Sequence, residues 1–165
     1  MFKQLFLPII AVAGFIVLVG LLTQGKLGFL IPSSSPTPKA NAKIIKIDDT
    51  EIEVEVAKTN EERAKGLSNR EKLDENSGMI FVFSKDSKPS FWMKDTKISL
   101  DIIWINDSII TGIEKNVQPE PGKADSELKK YPAPSSIDYV LEINGGFSDK
   151  NKIKVGQTIS GLEQL

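Results

Sequence analysis

Three carboxylates are the residues that the sequence places best for acid–base chemistry: Asp95, Asp101 and Glu114. They lie on or beside neighbouring predicted strands, and glycosidases use two carboxyl groups roughly 5–9.5 Å apart to give and take protons. Asp101, however, falls inside the apolar run Ile98–Ile105, where a carboxylate is costly unless it is paired or hydrogen-bonded. Two interpretations are therefore open: a catalytic pair of Asp95 or Asp101 with Glu114, or a structural aspartate.

Other common catalytic groups are missing from the chain. It has no cysteine and no histidine, which excludes Cys/His zinc sites, haem ligation through histidine, thiol nucleophiles and Ser-His-Asp triads. Ser90 and Lys94 share one face of a predicted strand, but ~13 Å would separate them, beyond hydrogen-bond reach. No Asp-x-Asp-x-Asp spacing supports a calcium or magnesium site. We therefore expect no metal and no cofactor, and assign no catalytic residue.

Side chains suited to binding cluster in Gly78–Asn106, which contains both tryptophans. Trp92 and Lys94 are either core plus a snorkelling lysine, or a surface aromatic that stacks on a sugar or peptide. Upstream, Arg70 either pairs with a carboxylate such as Asp101 or binds an anionic ligand. The candidate binding residues are Arg70, Trp92, Lys94, Asp95, Thr96 and Asp101.

A hairpin and a short helix are predicted before this segment. Apolar and charged residues alternate over Lys43–Lys58, with two aspartates at the midpoint, which predicts an antiparallel hairpin. Thr59 and Glu62 fit a capping box, so a helix is expected over Asn60–Lys65. Gly66 is then a natural residue to end it.

The rest of the chain is predicted to be mostly extended. Apolar runs bounded by turn formers predict strands at Gly78–Phe83, Ser90–Lys94, Ile98–Ile105, Ser108–Val117 and Ile137–Ile143, with short edge strands at 153–156 and 157–159. Gly112 within a strand predicts a bulge or a close backbone approach. Residues 118–136 contain four prolines and form either a lid or binding loop or a disordered excursion. Phe147–Asn151 is expected to make one helical turn.

The first 42 residues differ in composition from the rest. Leu5–Leu22 is uncharged over 18 residues, and a helix of that length spans ~27 Å, close to the hydrocarbon core of a bilayer. A cleaved signal peptide and a buried core helix are the competing interpretations. The predicted organisation is a membrane anchor at 1–24 that spans the membrane through residues 5–22, a Ser/Pro-rich linker at 25–42, and a domain at 43–165. The short N-terminal tail favours a single-pass protein with an extracytoplasmic domain.

Charge argues against a nucleic-acid partner. All 22 acidic residues and 18 of the 21 basic residues lie after Ala42, so the domain carries a net charge of −4 with interleaved signs. A protein that binds nucleic acid needs a basic face to neutralise phosphates. We therefore expect no nucleic-acid binding.

The phrases KGLSNREKL, GMIFVF and SFWMKDTKISLDIIWIN, followed by YVLEINGGFSDKNKIKVGQTI, resemble the DUF192 family of small bacterial and archaeal proteins. The resemblance runs from about Thr59 to Ile159, and FWMKxTxxxLD is its most specific part. It implies a compact, barrel-like β domain with one short helix, and no reaction. Asp95 stands where the family usually has Asn, and Ser68 where it usually has Met.

Together these features predict a mainly β (β-rich α+β) protein: a compact, barrel-like antiparallel domain with one short helix, preceded by an N-terminal transmembrane helix. We expect a membrane-anchored extracytoplasmic module that binds an unknown protein or envelope ligand and has no catalytic cycle of its own. The alternative is a hydrolase of cell-envelope polymer that uses a carboxylate pair.

Overall fold

The computed structural model describes residues 42–165. The predicted anchor at 1–24, and the linker at 25–42 up to its last residue, lie outside the described residues. Within 42–165, no helix is long and apolar enough to cross a membrane.

Strands are the main regular elements of the described chain, which also has two short α-helices and one 3-10 turn. In chain order the elements are β1 Lys43–Ile47, β2 Thr50–Ala57, α1 Asn60–Lys65, β3 Ser77–Ser87, β4 Ser90–Phe91, β5 Leu100–Asn106, β6 Ile109–Val117, β7 Tyr131–Pro132, β8 Ile137–Asn144, α2 Phe147–Lys150, β9 Ile159–Ser160 and the 3-10 turn Leu162–Gln164. The mainly β class is confirmed, but the described chain has two short helices where the family resemblance implied one.

Seven of the strands form one sheet in the order β6-β5-β8-β3-β2-β1-β9, and β4 pairs separately with β7. Every pairing is antiparallel except β2 with β3, which run parallel. The expectation of a purely antiparallel domain is therefore wrong at this pair. The reason is the connection, because a helical crossover between two strands can bring the chain back in its original direction.

The sheet curls into a half-barrel, and hydrogen bonds join the region near its two ends. Ile109 at the start of β6 bridges Thr158, which precedes β9. The Ile110 amide donates to the Gln157 carbonyl at 2.9 Å, and the Ile159 amide donates to Ser108 at 2.8 Å. These bonds cover backbone groups that an open sheet edge would leave unpaired.

The two faces of the sheet pack into two apolar clusters. Along β8, Leu141 and Ile143 belong to the cluster that also contains Phe147 from α2. Val140, one residue away, belongs to the other cluster, together with Phe81 and Trp104. Successive side chains of a strand point to opposite faces, so a central strand covered on both sides is apolar throughout. Residues 100–105 of β5 are all buried accordingly.

Local expectations for the first hairpin and helix are confirmed. Asp48 adopts a left-handed backbone (φ 50°) in the turn between β1 and β2, which Asp tolerates better than most residues. Thr59 caps α1 through a complete capping box with Glu62, and Gly66 follows the helix at φ 46°.

Three predicted strands differ from the structure. The segment Ser90–Lys94 is extended only as far as Phe91, because the Thr96 amide donates to the Met93 carbonyl at 3.2 Å and closes a turn. Residues 153–156 form no strand, and only Ile159 of 157–159 lies in one. The bulge predicted at Gly112 is confirmed by a register shift between Trp104 and the next residue of β5.

The 118–136 loop is not a disordered excursion. Its residues Tyr131–Pro132 form β7 and pair with β4, and the Ala133 amide donates to the Pro89 carbonyl at 2.9 Å. Leu128 is also buried. The loop is therefore fastened to the segment that follows β3.

Candidate functional site

A cavity of about 210 Å³ opens between α1 and the segment 89–96. Helix α1 and the residues after it form one wall, β3 contributes two phenylalanines, and β4 with the following turn forms the opposite wall. The lining comprises Arg63, Ala64, Lys65, Gly66, Leu67, Ser68, Phe81, Phe83, Pro89, Ser90, Phe91, Trp92, Lys94, Thr96 and Glu142. Four aromatic rings, three cations and a single carboxyl group share the lining, and we refer to this cavity as the aromatic pocket after its four rings.

Glu142 is the acidic residue of this pocket. It lies in β8, where its cross-strand neighbours are Met79 of β3 and Ile102 of β5. Only 6% of the residue is exposed, and among residues 42–165 its side chain has no hydrogen-bond or ion-pair partner. Burial alone raises the pKa of Glu142 to about 8. At neutral pH the carboxyl group is therefore mostly protonated, because burial removes hydration that would favour the anion and no counter-charge within residues 42–165 replaces it.

A chain of edge-on aromatic contacts builds the pocket wall. The Phe91 ring meets Phe81 at 5.0 Å between centroids, Phe83 at 6.2 Å and the core residue Trp104 at 5.5 Å. Edge-to-face pairs of this kind are more favourable than burial alone would give. Phe91 therefore joins the pocket wall to the core cluster that contains Phe81 and Trp104.

Trp92 stands at the pocket mouth with 43% of its surface exposed. The Lys130 ammonium lies 3.9 Å from its ring centroid, a cation–π contact. Since Lys130 belongs to the 118–136 loop, this contact ties the loop to the pocket wall. Trp92 is therefore a surface residue and not a core tryptophan, while its stacking on a sugar or peptide stays a prediction.

Cations in the lining are mostly engaged elsewhere. The Arg63 guanidinium donates to the carbonyls of Lys58 and Val82 and lies over the Phe83 ring at 5.1 Å. Lys94 pairs with Asp125 at 2.5 Å, and this hydrogen bond raises the pKa of the Lys94 ammonium. Neither charge is directed at Glu142.

The structure brings three of the six candidate binding residues together. Trp92, Lys94 and Thr96 line the pocket, whereas Arg70 and Asp95 do not. Asp95 is exposed and has a left-handed backbone (φ 53°). Its carbonyl accepts from the Asn69 amide at 2.8 Å, so Asp95 shapes the turn that carries Lys94 and Thr96.

Asp101, the sixth candidate, is fully buried and held by three backbone amides. Its carboxylate accepts from Asn116 at 2.7 Å, Gly146 at 2.9 Å and Ser148 at 2.7 Å. Three amide donors satisfy most of the acceptor sites of a carboxylate. This geometry is that of a structural aspartate. The three hydrogen bonds join β5, which carries Asp101, to β6 and to the start of α2.

Arg70 pairs with Glu55 and not with Asp101. Two guanidinium nitrogens donate to the two carboxylate oxygens, at 2.6 and 2.5 Å. Glu114 lies apart from the aromatic pocket, in the lining of a second, more open depression with Gln118 and Lys123. The three carboxylates considered for acid–base chemistry therefore lie in different environments: Asp95 is exposed, Asp101 is fully buried and Glu114 lines the second depression.

Glu142 is not among the site residues predicted from the sequence, although a signal was present. Glu142 interrupts the apolar letters of IDYVLEI, and strand alternation places it on the face of Val140. An acidic residue on the buried face of a central strand is unusual. Arg63, Phe81 and Phe83 were also not predicted as site residues. Their side chains meet the segment 89–96 only in the folded protein, and local sequence patterns do not record that contact.

No group of three or more acidic side chains able to hold a metal ion occurs within residues 42–165.

A protein-family model matches the sequence of nearly all the residues that the structure describes. The DUF192 model ("Uncharacterized ACR") covers residues 43–161, and the chain belongs to this family. The crystal structure of a protein of unknown function from Novosphingobium aromaticivorans is similar, with 31% identity, a TM-score of 0.66, and coverage of 75% of this chain and 89% of that one.

A second similar crystal structure comes from Sinorhizobium meliloti, where the protein is described as a "putative transcription regulator". It is 26% identical over 73% of this chain and 91% of that one, with a TM-score of 0.63. Among curated proteins, no match is found.

Proposed function

We propose that this protein is a membrane-anchored, extracytoplasmic binding module that takes a small ligand into the aromatic pocket. The observation that carries the proposal is Glu142, a buried carboxyl group without a partner in the described chain, at a cavity lined by Phe81, Phe83 and Phe91. Ligand sites combine an apolar lining with a few placed polar groups in this way. A buried polar group without a partner is costly, and a ligand can supply what is missing.

The cell-envelope hydrolase is the weaker candidate. A two-carboxylate mechanism needs a second acidic group beside the first, and Glu142 is the one carboxylate in the lining of the aromatic pocket. Asp101 is committed to three backbone amides. Incubating the full-length protein with glycan and peptide panels tests the alternative, and turnover that Glu142→Gln abolishes would replace the binding proposal.

A transcription-regulator role, as named for the Sinorhizobium protein, is not part of the proposal. Residues 43–165 carry 18 basic and 22 acidic side chains, a poor match to a phosphate backbone. Salt-dependent retention of the full-length protein on duplex DNA would contradict this view.

Pocket binding is tested by filling the pocket from its rim. Ala64 is exposed on α1 and lines the cavity, so Ala64→Trp adds a ring there without disturbing the core. We expect this variant to lose binding of small-molecule fragments detected by NMR on the full-length protein. The matched control is Glu61→Trp, on the same helix outside the lining, which should bind as the wild type does. Equal binding by both variants would contradict the site.

Topology is tested by a single introduced cysteine, because the chain has none. Lys85 has a side chain that is 79% exposed, so Lys85→Cys is accessible to a membrane-impermeant maleimide. The proposal expects the protein in the membrane fraction and labelled in intact cells. Labelling only after lysis would place the domain on the cytoplasmic side and contradict the proposed location.

A further inference from the structure

We infer that the ligand of the aromatic pocket is a small monoamine, whose ammonium group lies against Glu142 and whose apolar body packs among Phe81, Phe83 and Phe91. The inference rests on the proposed binding function and specifies the ligand class of the same site. Of the common ligand groups, an ammonium recovers most of what the buried carboxyl group has lost.

The buried carboxyl group has lost water without gaining a counter-charge. Its neighbours on the adjoining strands, Met79 and Ile102, are apolar. Burial is the one cause of its raised pKa, so no cation within the described residues 42–165 offsets it. An ammonium group restores the missing charge, and attraction between opposite charges is stronger in the interior than in water. A carboxylate ligand supplies no positive charge, so it cannot stabilise the ionised form of Glu142.

The aromatic wall favours the same ligand class. Ring faces attract cations, and two rings of this wall already do so: Phe83 lies under Arg63 and Trp92 under Lys130. Phe81 and Phe91 also line the cavity and carry no such cation among the described contacts. A protonated amine is therefore matched to both components of the pocket, the acid and the rings.

Charges that face the pocket limit the ligand to one positive group. Arg63 and Lys65 come from α1, and Lys94 comes from the turn after β4. Arg63 is bonded to backbone carbonyls and Lys94 to Asp125, but Lys65 is exposed at the rim without a described partner. A second ammonium group on the ligand would meet this positive rim, so a diamine is disfavoured.

The test uses three probes of similar shape: 2-phenylethylamine, the uncharged 2-phenylethanol and the anionic 3-phenylpropanoate. Binding to the full-length protein is measured by calorimetry between pH 6 and 8 in buffers of different ionisation enthalpy. An ammonium group must displace the Glu142 proton into solvent. We therefore expect the amine to release about one proton per molecule bound near pH 6.5, and its affinity to rise roughly tenfold per pH unit until about pH 8.

Glu142→Gln keeps the shape of the side chain and removes its charge. We expect it to weaken binding of the amine at least tenfold at pH 8, to abolish proton release, and to leave the alcohol nearly unaffected. The control is Glu114→Gln in the second depression, which should bind the amine as the wild type does. Proton release by the wild type needs no variant, so the inference stays testable even if Glu142→Gln folds poorly.

The outcomes separate the two proposals. If none of the three probes binds, the amine assignment is wrong, and the fragment comparison of Ala64→Trp with Glu61→Trp decides separately whether the pocket is a small-molecule site. If the alcohol or the acid binds as tightly as the amine, or if the amine binds without proton release, the binding function survives and the amine assignment is wrong.

Discussion

Arg70 and Glu55 form a bidentate ion pair that joins the irregular segment after α1 to strand β2. Both guanidinium-to-carboxylate bonds are short, at 2.6 and 2.5 Å, and the two side chains are only 27% and 26% exposed. The hydrogen bond to Glu55 is the largest cause of a raised Arg70 pKa. Because the segment carrying Arg70 begins beside the pocket residues Leu67 and Ser68, the pair also fixes one wall of the pocket.

We expect Arg70→Lys to destabilise the protein by about 1 kcal/mol, since an ammonium group cannot reproduce the planar fork of a guanidinium. A double-mutant cycle with Arg70→Ala and Glu55→Ala, measured by urea unfolding, should give a coupling energy of about 1–2 kcal/mol. The control is the exposed pair Lys46–Glu51, with side chains 52% and 61% exposed, for which about 0.5 kcal/mol or less is expected. Equal coupling energies in both pairs would contradict the prediction.

Asp101→Asn is expected to lower the free energy of unfolding by about 3 kcal/mol or more. The amide side chain keeps one acceptor oxygen but turns an NH2 group toward backbone N–H groups that then lose their partner. Asp138→Asn is the matched control, because within residues 42–165 Asp138 accepts a single amide bond, from Asp107 at 3.2 Å, and about 1 kcal/mol is expected there. A loss no larger at Asp101 than at Asp138 would show that the three amide bonds do not act as a structural unit.

Strands defined by local pattern were predictable from the sequence. The hairpin up to β2 follows from alternation, and α1 follows from the capping box of Thr59 with Glu62. The parallel pairing of β2 with β3 was not predictable, because alternation records which face is buried and not which strand lies alongside. The early end of β4 depends on Met93, whose side chain is buried while the chain turns at Lys94 and Asp95.

The candidate site was predictable only in part. Trp92, Lys94 and Thr96 are close in sequence, so one turn delivers all three to the pocket. Glu142 comes from a strand more than 40 residues later, and its burial depends on β3 and β5 covering it from both sides. Such a pocket is defined by the order of strands in the sheet, which single-sequence patterns do not encode.

Helix α1 forms one wall of the pocket, and its cap is expected to influence binding as well as stability. The Thr59 hydroxyl accepts from the Glu62 amide at 3.1 Å, and the Glu62 carboxylate accepts from the Thr59 amide at 2.9 Å. Thr59→Ala should lower the free energy of unfolding by about 1 kcal/mol and weaken fragment binding in the NMR assay. Thr59→Ser keeps the hydroxyl and should behave as the wild type. Unchanged unfolding in Thr59→Ala would contradict a stabilising cap.

Glu142 should make the folded protein less stable as the pH rises. Its pKa is about 8 when folded against a usual 4.5, so between these values the folded state binds more protons than the unfolded state. Stability then falls with increasing pH across this interval and levels off above about pH 8. The shift corresponds to a total of up to roughly 5 kcal/mol, from about 1.4 kcal/mol for each unit of pKa.

We expect Glu142→Gln to remove most of this pH dependence, because glutamine stays neutral in both states. The free energy of unfolding in urea, measured at pH 5, 7 and 9, should fall steeply for the wild type and remain nearly level for the variant, so the two differ most at pH 9. Glu51→Gln is the control, since the Glu51 side chain is 61% exposed and its loss should leave the wild-type slope intact. A Glu142→Gln protein with the same slope as the wild type would mean that another group is responsible for the pH dependence. A wild-type protein equally stable at pH 5 and pH 9 would mean that the pKa of Glu142 stays near its usual value in the folded protein, so that its carboxylate is hydrated and not desolvated in the pocket.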